Sequence, residues 1–577
     1  MQQNIMSFRE LQKIAKQVSK GETPIKIAVL ANHTTTFFCK ALENYLLVEG
    51  YNPSIYEAGY DQIDITIIDN SSKLYKINPE IVIIFESSLK LKDNFYALKS
   101  NEERSHFSSR ISDLINSRIA GLQSGNINSK IIYMSYELID DQIYGNLFSK
   151  ITHSFYNQLW KINNRLIEIS EKENNFYVFD INKHLKNLND YRDWASYINS
   201  DLHYSIDTHT HISYHITKFA KAFKGSFKKC LILDLDNTLW GGIIGDDGLE
   251  KIQIGSLGIG KAFTKIQKWA KELKNRGVIL AVCSKNNEEI AKNPFINHNE
   301  MVLKLEDISV FVANWNNKAD NIRYIQEVLN IGFDSMVFID DNPAEREIVK
   351  QSIPEITVPE LPEDPALYLP YLTNLNLFET VSYSKNDNDR TLQYQQEAER
   401  RKLISQVTNM DDYLKSLEMH GSISDFTPED VSRIAQLTQR SNQFNLRTKR
   451  YTEDDIIKFM NSENYLTYSV KLKDKFGDYG LISVIILEKT SSNAFFIDTW
   501  IMSCRVLKRD VEYYALNKIV DDLLKLKINT LQGQYLETAK NSLVADLLEK
   551  LTFSKEKNDS IYSLNTNTYK HFKHFIL

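Results

Sequence analysis

Glycine and proline are scarce in this chain of 577 residues, with 20 Gly and 11 Pro. Together they make up about 5% where roughly 12% is usual. The shortage excludes collagen-like, Gly/Ser-linker and Pro-rich disordered architectures. Cysteine is equally sparse: Cys39, Cys230, Cys283 and Cys504 stand far apart and form no CxxC pair. That speaks against a disulfide framework or a cysteine zinc site, and a reducing, cytoplasmic location is expected. No apolar run approaches the roughly 18 residues of a membrane span. The first residues, MQQNIMSFRELQKIAKQ, lack the apolar core of a signal peptide. No charge of one sign dominates: 69 Lys and Arg against 75 Asp and Glu leave −6. Nucleic acid is therefore not an expected partner, and neither is a membrane.

Hydrophobic residues are 42% and charged residues 25%, enough for several packed cores. At roughly 150 residues per domain, three to four domains are expected. Compact apolar strands at IKIAVLAN (25–32), PEIVIIFES (79–87), KIIYMSYE (130–137) and NFYVFDIN (175–182) alternate with helical patterns. Residues 1–225 therefore read as an α/β domain with a parallel sheet. A second α/β block, 226–383, has strands CLILD, VILAVCS and SMVFID in the style of a doubly wound sheet. Residues 384–404 read as a helical connector, and 405–577 as an α+β domain.

The chemistry concentrates in the second block. Asp234 ends a buried strand in DLDNT, and Asp236 lies two residues on. Carboxylates at that spacing, at the C-terminal end of a parallel strand, converge on one crevice. Ser284 ends VILAVCS, Lys318 stands in ANWNNKADN, and Asp340 and Asp341 end SMVFIDD. A carboxylate that attacks a phosphoryl group needs its charge repulsion cancelled. A divalent cation and a lysine do this, and Mg²⁺ prefers hard oxygen ligands. The plain alternative is that these aspartates only cap strand-to-helix turns.

This ordered set resembles the haloacid dehalogenase-like (HAD) phosphotransferases. The resemblance implies Asp234 as the nucleophile that forms an aspartyl-phosphate, and Asp236 as general acid and base. It implies Ser284 and Lys318 as phosphate-binding residues. Asp234, the backbone carbonyl of Asp236, Asp340 and Asp341 are the implied magnesium ligands. Only 50 residues separate Asp234 from Ser284 and 34 separate Ser284 from Lys318, so neither gap holds a full cap domain. A capless, open site is expected. TLWGGIIGDDG (238–248) resembles the HAD flap, with Trp240 placed to shield the phosphoryl site.

The strings LDLDNTLWGGIIGDDGLE, AVCSKN, ANWNNKADNIR, VFIDDNPAERE and VPELPEDPALY resemble the FkbH family more closely, as do FETVSYS, RSNQFNLRTKRYT and DTWIMSCRVLKRDVE. These cover about residues 220–555. The family comprises HAD-type glyceryl-carrier-protein synthases of polyketide and related pathways. The resemblance implies loading of a glyceryl unit from 1,3-bisphosphoglycerate onto the phosphopantetheine of a holo acyl carrier protein, with dephosphorylation. Two other readings stand beside it: a Mg²⁺-dependent phosphatase of a small phosphorylated metabolite with non-catalytic flanking domains, and a non-enzymatic scaffold that recruits a carrier.

A thioester also needs a thiol. Cys283, beside Ser284, is the candidate relay by resemblance, although strand alternation turns neighbours to opposite faces. Cys504 is the rival. It lies in a C-terminal domain that resembles the GNAT acyltransferase fold, where phosphate sits on backbone amides at such a turn. Long FkbH-like chains often carry glycine where Lys508 and Asp510 stand here. Arg505, Lys508 and Arg509 are candidates to bind a phosphopantetheine or an acidic carrier face. Asn442, Gln443, Asn445 and Trp500 are placed in the same groove by resemblance alone. The N-terminal α/β domain resembles SGNH hydrolases without Gly-Asp-Ser after its first strand, and its nearest Asp/His pair is Asp201-Leu-His203. A docking or structural role is expected there. His209, His211 and His215 cluster in sequence, and no Cys or acidic residue stands at metal-ligand spacing.

Overall fold

The structure, a computed structural model, describes residues 5–125, 129–186, 188–383, 409–538, 540–555 and 560–577. The connector read at 384–404 lies outside the described residues. Internal contacts divide the chain into two compact units, residues 2–220 and 221–577.

In the first unit five strands form one parallel sheet. They are β1 (Thr23–Ala31), β2 (Tyr51–Glu57), β3 (Ile81–Phe85), β4 (Lys130–Met134) and β5 (Phe176–Phe179), in the order β2-β1-β3-β4-β5. Every residue of β3 is buried, as a strand covered by helices on both faces requires. One face packs Leu30, Ile84 and Tyr133 against Phe107 and Phe155 of the flanking helices. The long helix Phe155–Ser170 starts from Ser154 as its N-cap.

The second unit begins with a four-stranded parallel sheet. Its strands are β6 (Cys230–Leu233), β7 (Ile279–Ser284), β8 (Val310–Ala313) and β9 (Met336–Ile339), in the order β8-β7-β6-β9. The central β6 has β7 on one side and β9 on the other. The chain turns in opposite directions out of this point, which opens a crevice at the carboxyl ends of the strands. Between β6 and β7 lie the one-turn helix Ile244–Asp247 and the helix Gly260–Asn275.

A second, mixed sheet follows, with short β11 (Phe444–Asn445) paired to β14 (Ala494–Met502). Its main path joins β10 (His420–Ser424), β12 (Tyr465–Asp474), β13 (Gly477–Ser491), β14, β15 (Thr530–Gln534), β17 (Ile561–Asn565) and β16 (Ser554–Lys555). The pair β14–β15 is parallel and its neighbours are antiparallel. The helices Val431–Arg440 and Val511–Lys525 contribute Ile434 and Leu516 to the two cores beside it. The apolar pattern LVADLLEKL folds as a 3₁₀ turn at Ser542–Val544 and a single turn at Leu547–Lys550. Among the described residues no helix is long and apolar enough to cross a membrane.

Candidate active site at the carboxyl edge of the central sheet

Asp234 is the first residue past β6. Its backbone N–H donates to the carbonyl of Ile339 at 2.9 Å, which ties the ends of β6 and β9 together. Lys318 comes from the start of the helix Lys318–Leu329, whose N-cap Asn317 accepts from the Ala319 N–H. A lysine in the first helical turn opposes the helix dipole. The carboxylates offset this: its Nζ lies 2.5 Å from Asp340 Oδ2 and 3.1 Å from Asp234 Oδ1. Asp234, Ser284, Lys318 and Asp340 are each at most 5% exposed. Burial drives the Asp234 carboxyl upward from its ordinary pKa, against the pull of Lys318 and the Ser284 hydroxyl. Burial and the Asp234 charge push Asp340 up to about 6, and burial beside Asp340 pushes Asp341 up to about 6.

Asp236 lies on the same edge. Its Oδ1 accepts from Trp240 Nε1 at 2.9 Å and from the Ile244 N–H at 2.9 Å. Its Oδ2 accepts from Asn286 Nδ2 at 3.1 Å. Burial raises its pKa, although these donors oppose the shift. Trp240 is fully buried and walls this carboxyl on one side. The turn before it needs Asn237 at φ +53, a left-handed position that Asn tolerates, and Asn237 Oδ1 accepts from the Gly242 N–H.

Carboxylate oxygens of Asp234, Asp340 and Asp341 all lie within 4.8 Å of one another. These hard donors suit Mg²⁺, which takes octahedral oxygen ligation at about 2.0–2.1 Å. Asp234 Oδ1 is buried with Lys318 Nζ at 3.1 Å, and a carboxylate oxygen in one such contact keeps a second lone pair to offer. With Asp236 beside them, four acidic groups face one lysine, and the charge deficit calls for a cation.

Three supporting residues escaped the sequence reading. Arg346 is 4% exposed and donates to the carbonyls of Asp340 at 2.9 Å and Asp341 at 2.7 Å, with Glu360 holding its other side. Thr238 Oγ1 accepts from the Asp341 N–H at 3.2 Å. Asn286 grips Asp236 as above. Thr238 and Asn286 act through contacts between loops distant in sequence, whereas Arg346 bonds carbonyls five and six residues before it, and AERE after the acidic pair is the signal that hinted at it.

The two candidate thiols lie elsewhere. Cys283 is fully buried among Cys230, Ile232 and Phe338, on the face of the sheet opposite to Ser284. Its Sγ donates to the carbonyl of Lys318 at 3.7 Å, and burial holds the thiol far above its usual pKa. An enclosed, protonated thiol is a poor nucleophile. Cys504 lines a cavity of about 400 Å³ with Asn442, Gln443, Arg505 and residues 330–335. Those residues precede β9, so the cavity lies at the amino edge of the sheet. The acidic site lies at the carboxyl edge, and four strand residues at ~3.3 Å each put roughly 13 Å between the two edges. Replacing Cys283 or Cys504 with Ser is accordingly expected to leave phosphate release within about twofold of the parent. A tenfold loss in either folded, purified variant would show that the thiol contributes to the phosphoryl site, whereas a relay role is read from carrier loading.

The other C-terminal candidates divide. Asn442 donates to the Gly225 carbonyl at 3.1 Å on the cavity wall. Arg509 faces inward instead: it is 3% exposed, paired to Asp474 at 3.2 Å and bonded to the Tyr479 hydroxyl. It is not placed to meet a carrier or a phosphate. Asn445 is fully buried, with its side chain bonded to Ser441 and Thr448, and Trp500 is fully buried in the core. Lys508 (φ +63) and Asp510 (φ +59) occupy left-handed positions that favour glycine. Lys508→Gly should therefore raise stability by about 0.5–1 kcal/mol in urea unfolding, and a loss would show that the lysine side chain holds the turn.

In the first unit Ser87 Oγ lies 2.6 Å from His203 Nδ1, and His203 Nε2 lies 2.8 Å from Asp201 Oδ1. This chain resembles a hydrolase relay. Ser87 is 2% exposed, and its Oγ also accepts from the N–H groups of Leu89 and Lys90 as a helix cap. An enclosed capping serine is a structural part.

Comparison with known proteins places these features in context. Residues 26–220 match the family described as FkbH, N-terminal domain. A solved structure, the N-terminal part of the protein BF1531 from Bacteroides fragilis, contains a phosphatase domain complexed with Mg. It is 45% identical with a TM-score of 0.62, and the match covers 65% of this chain and 100% of that one. The ribosomal-protein-S18-alanine N-acetyltransferase from Escherichia coli is 17% identical with a TM-score of 0.21, covering 27% of this chain and 99% of that one. No curated protein matches. With its FkbH N-terminal domain and 45% identity across the whole of the Bacteroides chain, this protein belongs to the FkbH-like family of HAD-type phosphatase-domain proteins.

Proposed function

We propose that this protein is a Mg²⁺-dependent phosphatase of a small phosphorylated substrate, working through Asp234. The observation that carries this reading is the buried set of Asp234, Lys318, Asp340 and Asp341 at one strand edge, with oxygens close enough to share a cation. The likeness to a phosphatase domain complexed with Mg supports it.

Asp234, Asp340, Asp341 and the Asp236 carbonyl would hold the ion, which when bound neutralises charge on the phosphoryl oxygens. Lys318 and Ser284 orient the phosphoryl group. A carboxylate oxygen of Asp234 attacks phosphorus, and the bond to the leaving oxygen breaks. Asp236, its pKa raised by burial, gives that oxygen its proton. The Asp236 carboxylate then takes a proton from water, whose oxygen attacks phosphorus and frees Asp234 and inorganic phosphate. Trp240 and Asn286 hold Asp236 in place for both transfers.

The test is phosphate release from p-nitrophenyl phosphate by full-length protein. EDTA should abolish it and Mg²⁺ should restore it. Release that is indifferent to EDTA would contradict the proposal. The pH dependence has a definite sign. Metal binds the ionised carboxylates, and Asp340 and Asp341 titrate near 6 without it. Protons therefore compete as pH falls, and Mg²⁺ affinity by calorimetry should drop about 100-fold from pH 7 to pH 5. A flat profile would mean that these two carboxyls are not ligands.

A finer reading is transfer of a glyceryl unit from 1,3-bisphosphoglycerate to a holo acyl carrier protein before dephosphorylation. The FkbH N-terminal domain favours it. Neither Cys283 nor Cys504 sits by the phosphoryl site, so the pantetheine thiol is the better acyl acceptor. In this reading residues 2–220 serve docking, and the cavity beside Cys504 and Arg505 receives part of the carrier. Intact-mass spectrometry of a cognate carrier tests it: a glyceryl mass gain that needs Asp234 supports it. Release of phosphate with no gain on the carrier leaves the plain phosphatase.

A further inference from the structure

The helix Ile206–Phe223 carries His211 and His215 four residues apart, and so on one helical face. His209 is two residues from His211 and turns away, towards Tyr204. The neighbour that completes the face is His184, from the short helix Ile181–Leu185 after β5. One ring nitrogen from each of His184, His211 and His215 lies within 4.8 Å of the others. His215 is 2% exposed, and among the described residues neither of its ring nitrogens has a hydrogen-bond partner. His211 is 8% exposed, while His184 is half-buried and stacks on Phe179.

A buried imidazole such as His215, with neither nitrogen satisfied, is costly unless something satisfies it. Burial, with Lys218 nearby, keeps all three rings neutral, which is the form that binds metal. We propose that His184, His211 and His215 form a site for one first-row transition ion of the zinc class. It is separate from the acidic site in the second unit. Imidazole nitrogen suits Zn²⁺, whereas Mg²⁺ selects oxygen, so the two sites discriminate by donor type. Tetrahedral Zn–N bonds of about 2.0–2.1 Å bring ligand nitrogens to roughly 3.4 Å, so the rings close by about 1 Å on binding. Water or a small anion fills the fourth position, the latter favoured by Lys218. The ion would pin the helix after β5 to the last helix of the unit.

The experiment uses untagged full-length protein, stripped with chelator and re-equilibrated with micromolar Zn²⁺ in millimolar Mg²⁺, which saturates the carboxylates. After gel filtration, elemental analysis should find about one zinc per chain. His211→Gln and His184→Gln should each lower retention at least tenfold. Co²⁺ in the parent protein should give the visible bands of a tetrahedral nitrogen site, absent from both variants. No retained zinc in the parent, or unchanged zinc in folded variants, would overturn the proposal. The cobalt spectrum is read on the parent, so an unfolded variant leaves the question decidable: no tetrahedral bands overturns the site.

Discussion

Asp234→Asn should lower Mg²⁺-dependent phosphate release by about 10⁴-fold or more. The amide keeps the shape of the carboxyl but cannot attack phosphorus. The fold should persist, because Asp340 alone still pairs with Lys318 at 2.5 Å. Circular dichroism and a thermal melt close to the parent would show this. The charge change also removes one metal ligand, so weaker Mg²⁺ binding should accompany the loss. Raising Mg²⁺ to saturation separates the two effects. A missing ligand is compensated by mass action, and a missing nucleophile is not. Recovery of more than a few per cent of activity at saturation would assign Asp234 to the metal alone.

Lys318→Met should damage both stability and turnover. The ammonium is buried between Asp234 and Asp340, so its removal leaves two buried carboxylates without a cation. Breaking such a pair costs about 3–5 kcal/mol. Without the lysine, the carboxyl pKa values climb further, because the charge that opposed desolvation has gone. Mg²⁺ neutralises the same carboxylates, so it should raise the melting temperature more in the variant than in the parent. Turnover at saturating Mg²⁺ should still fall about 10²–10³-fold, since a preorganised cation facing the phosphoryl oxygens is lost. A variant as stable as the parent in EDTA would mean that the lysine does not hold these charges.

Much of this site is legible in the sequence because each part is local. A buried apolar strand ending in Asp announces its own position, so Asp234, Ser284 and Asp340 fall at the carboxyl ends of β6, β7 and β9. Lys318 is readable because Asn317 caps the helix it begins. Strand alternation already turned Cys283 away from Ser284. Contacts between distant loops are less legible. Thr238 meets the acidic loop across 103 residues, and Asn286 reaches Asp236 across 50 residues. Nothing local marks either, whereas AERE after the acidic pair does point to Arg346.

The amino edge of the sheet is a harder case. The sequence orders Cys504 after the acidic site but cannot say against which end of β9 its loop packs. The Asn330 side chain answers this by donating to the Cys504 carbonyl at 3.0 Å. Backbone geometry was partly visible, since the family resemblance implied glycine where Lys508 and Asp510 stand and both are left-handed. The histidines show the limit of reading along the chain. Proximity in sequence suggested His209 with His211 and His215, whereas helical periodicity and the turn after β5 bring in His184.

The most direct test of the account is to look for the phosphoryl group on Asp234. Full-length protein with Mg²⁺ and p-nitrophenyl phosphate would be quenched in acid during turnover, digested, and read by peptide mass spectrometry. The account predicts a phosphoryl mass gain, labile to hydroxylamine, on the peptide that contains Asp234, and none in Asp234→Asn. Steady turnover with the phosphoryl group on another residue, or with direct transfer to water and no labelled peptide, would contradict it.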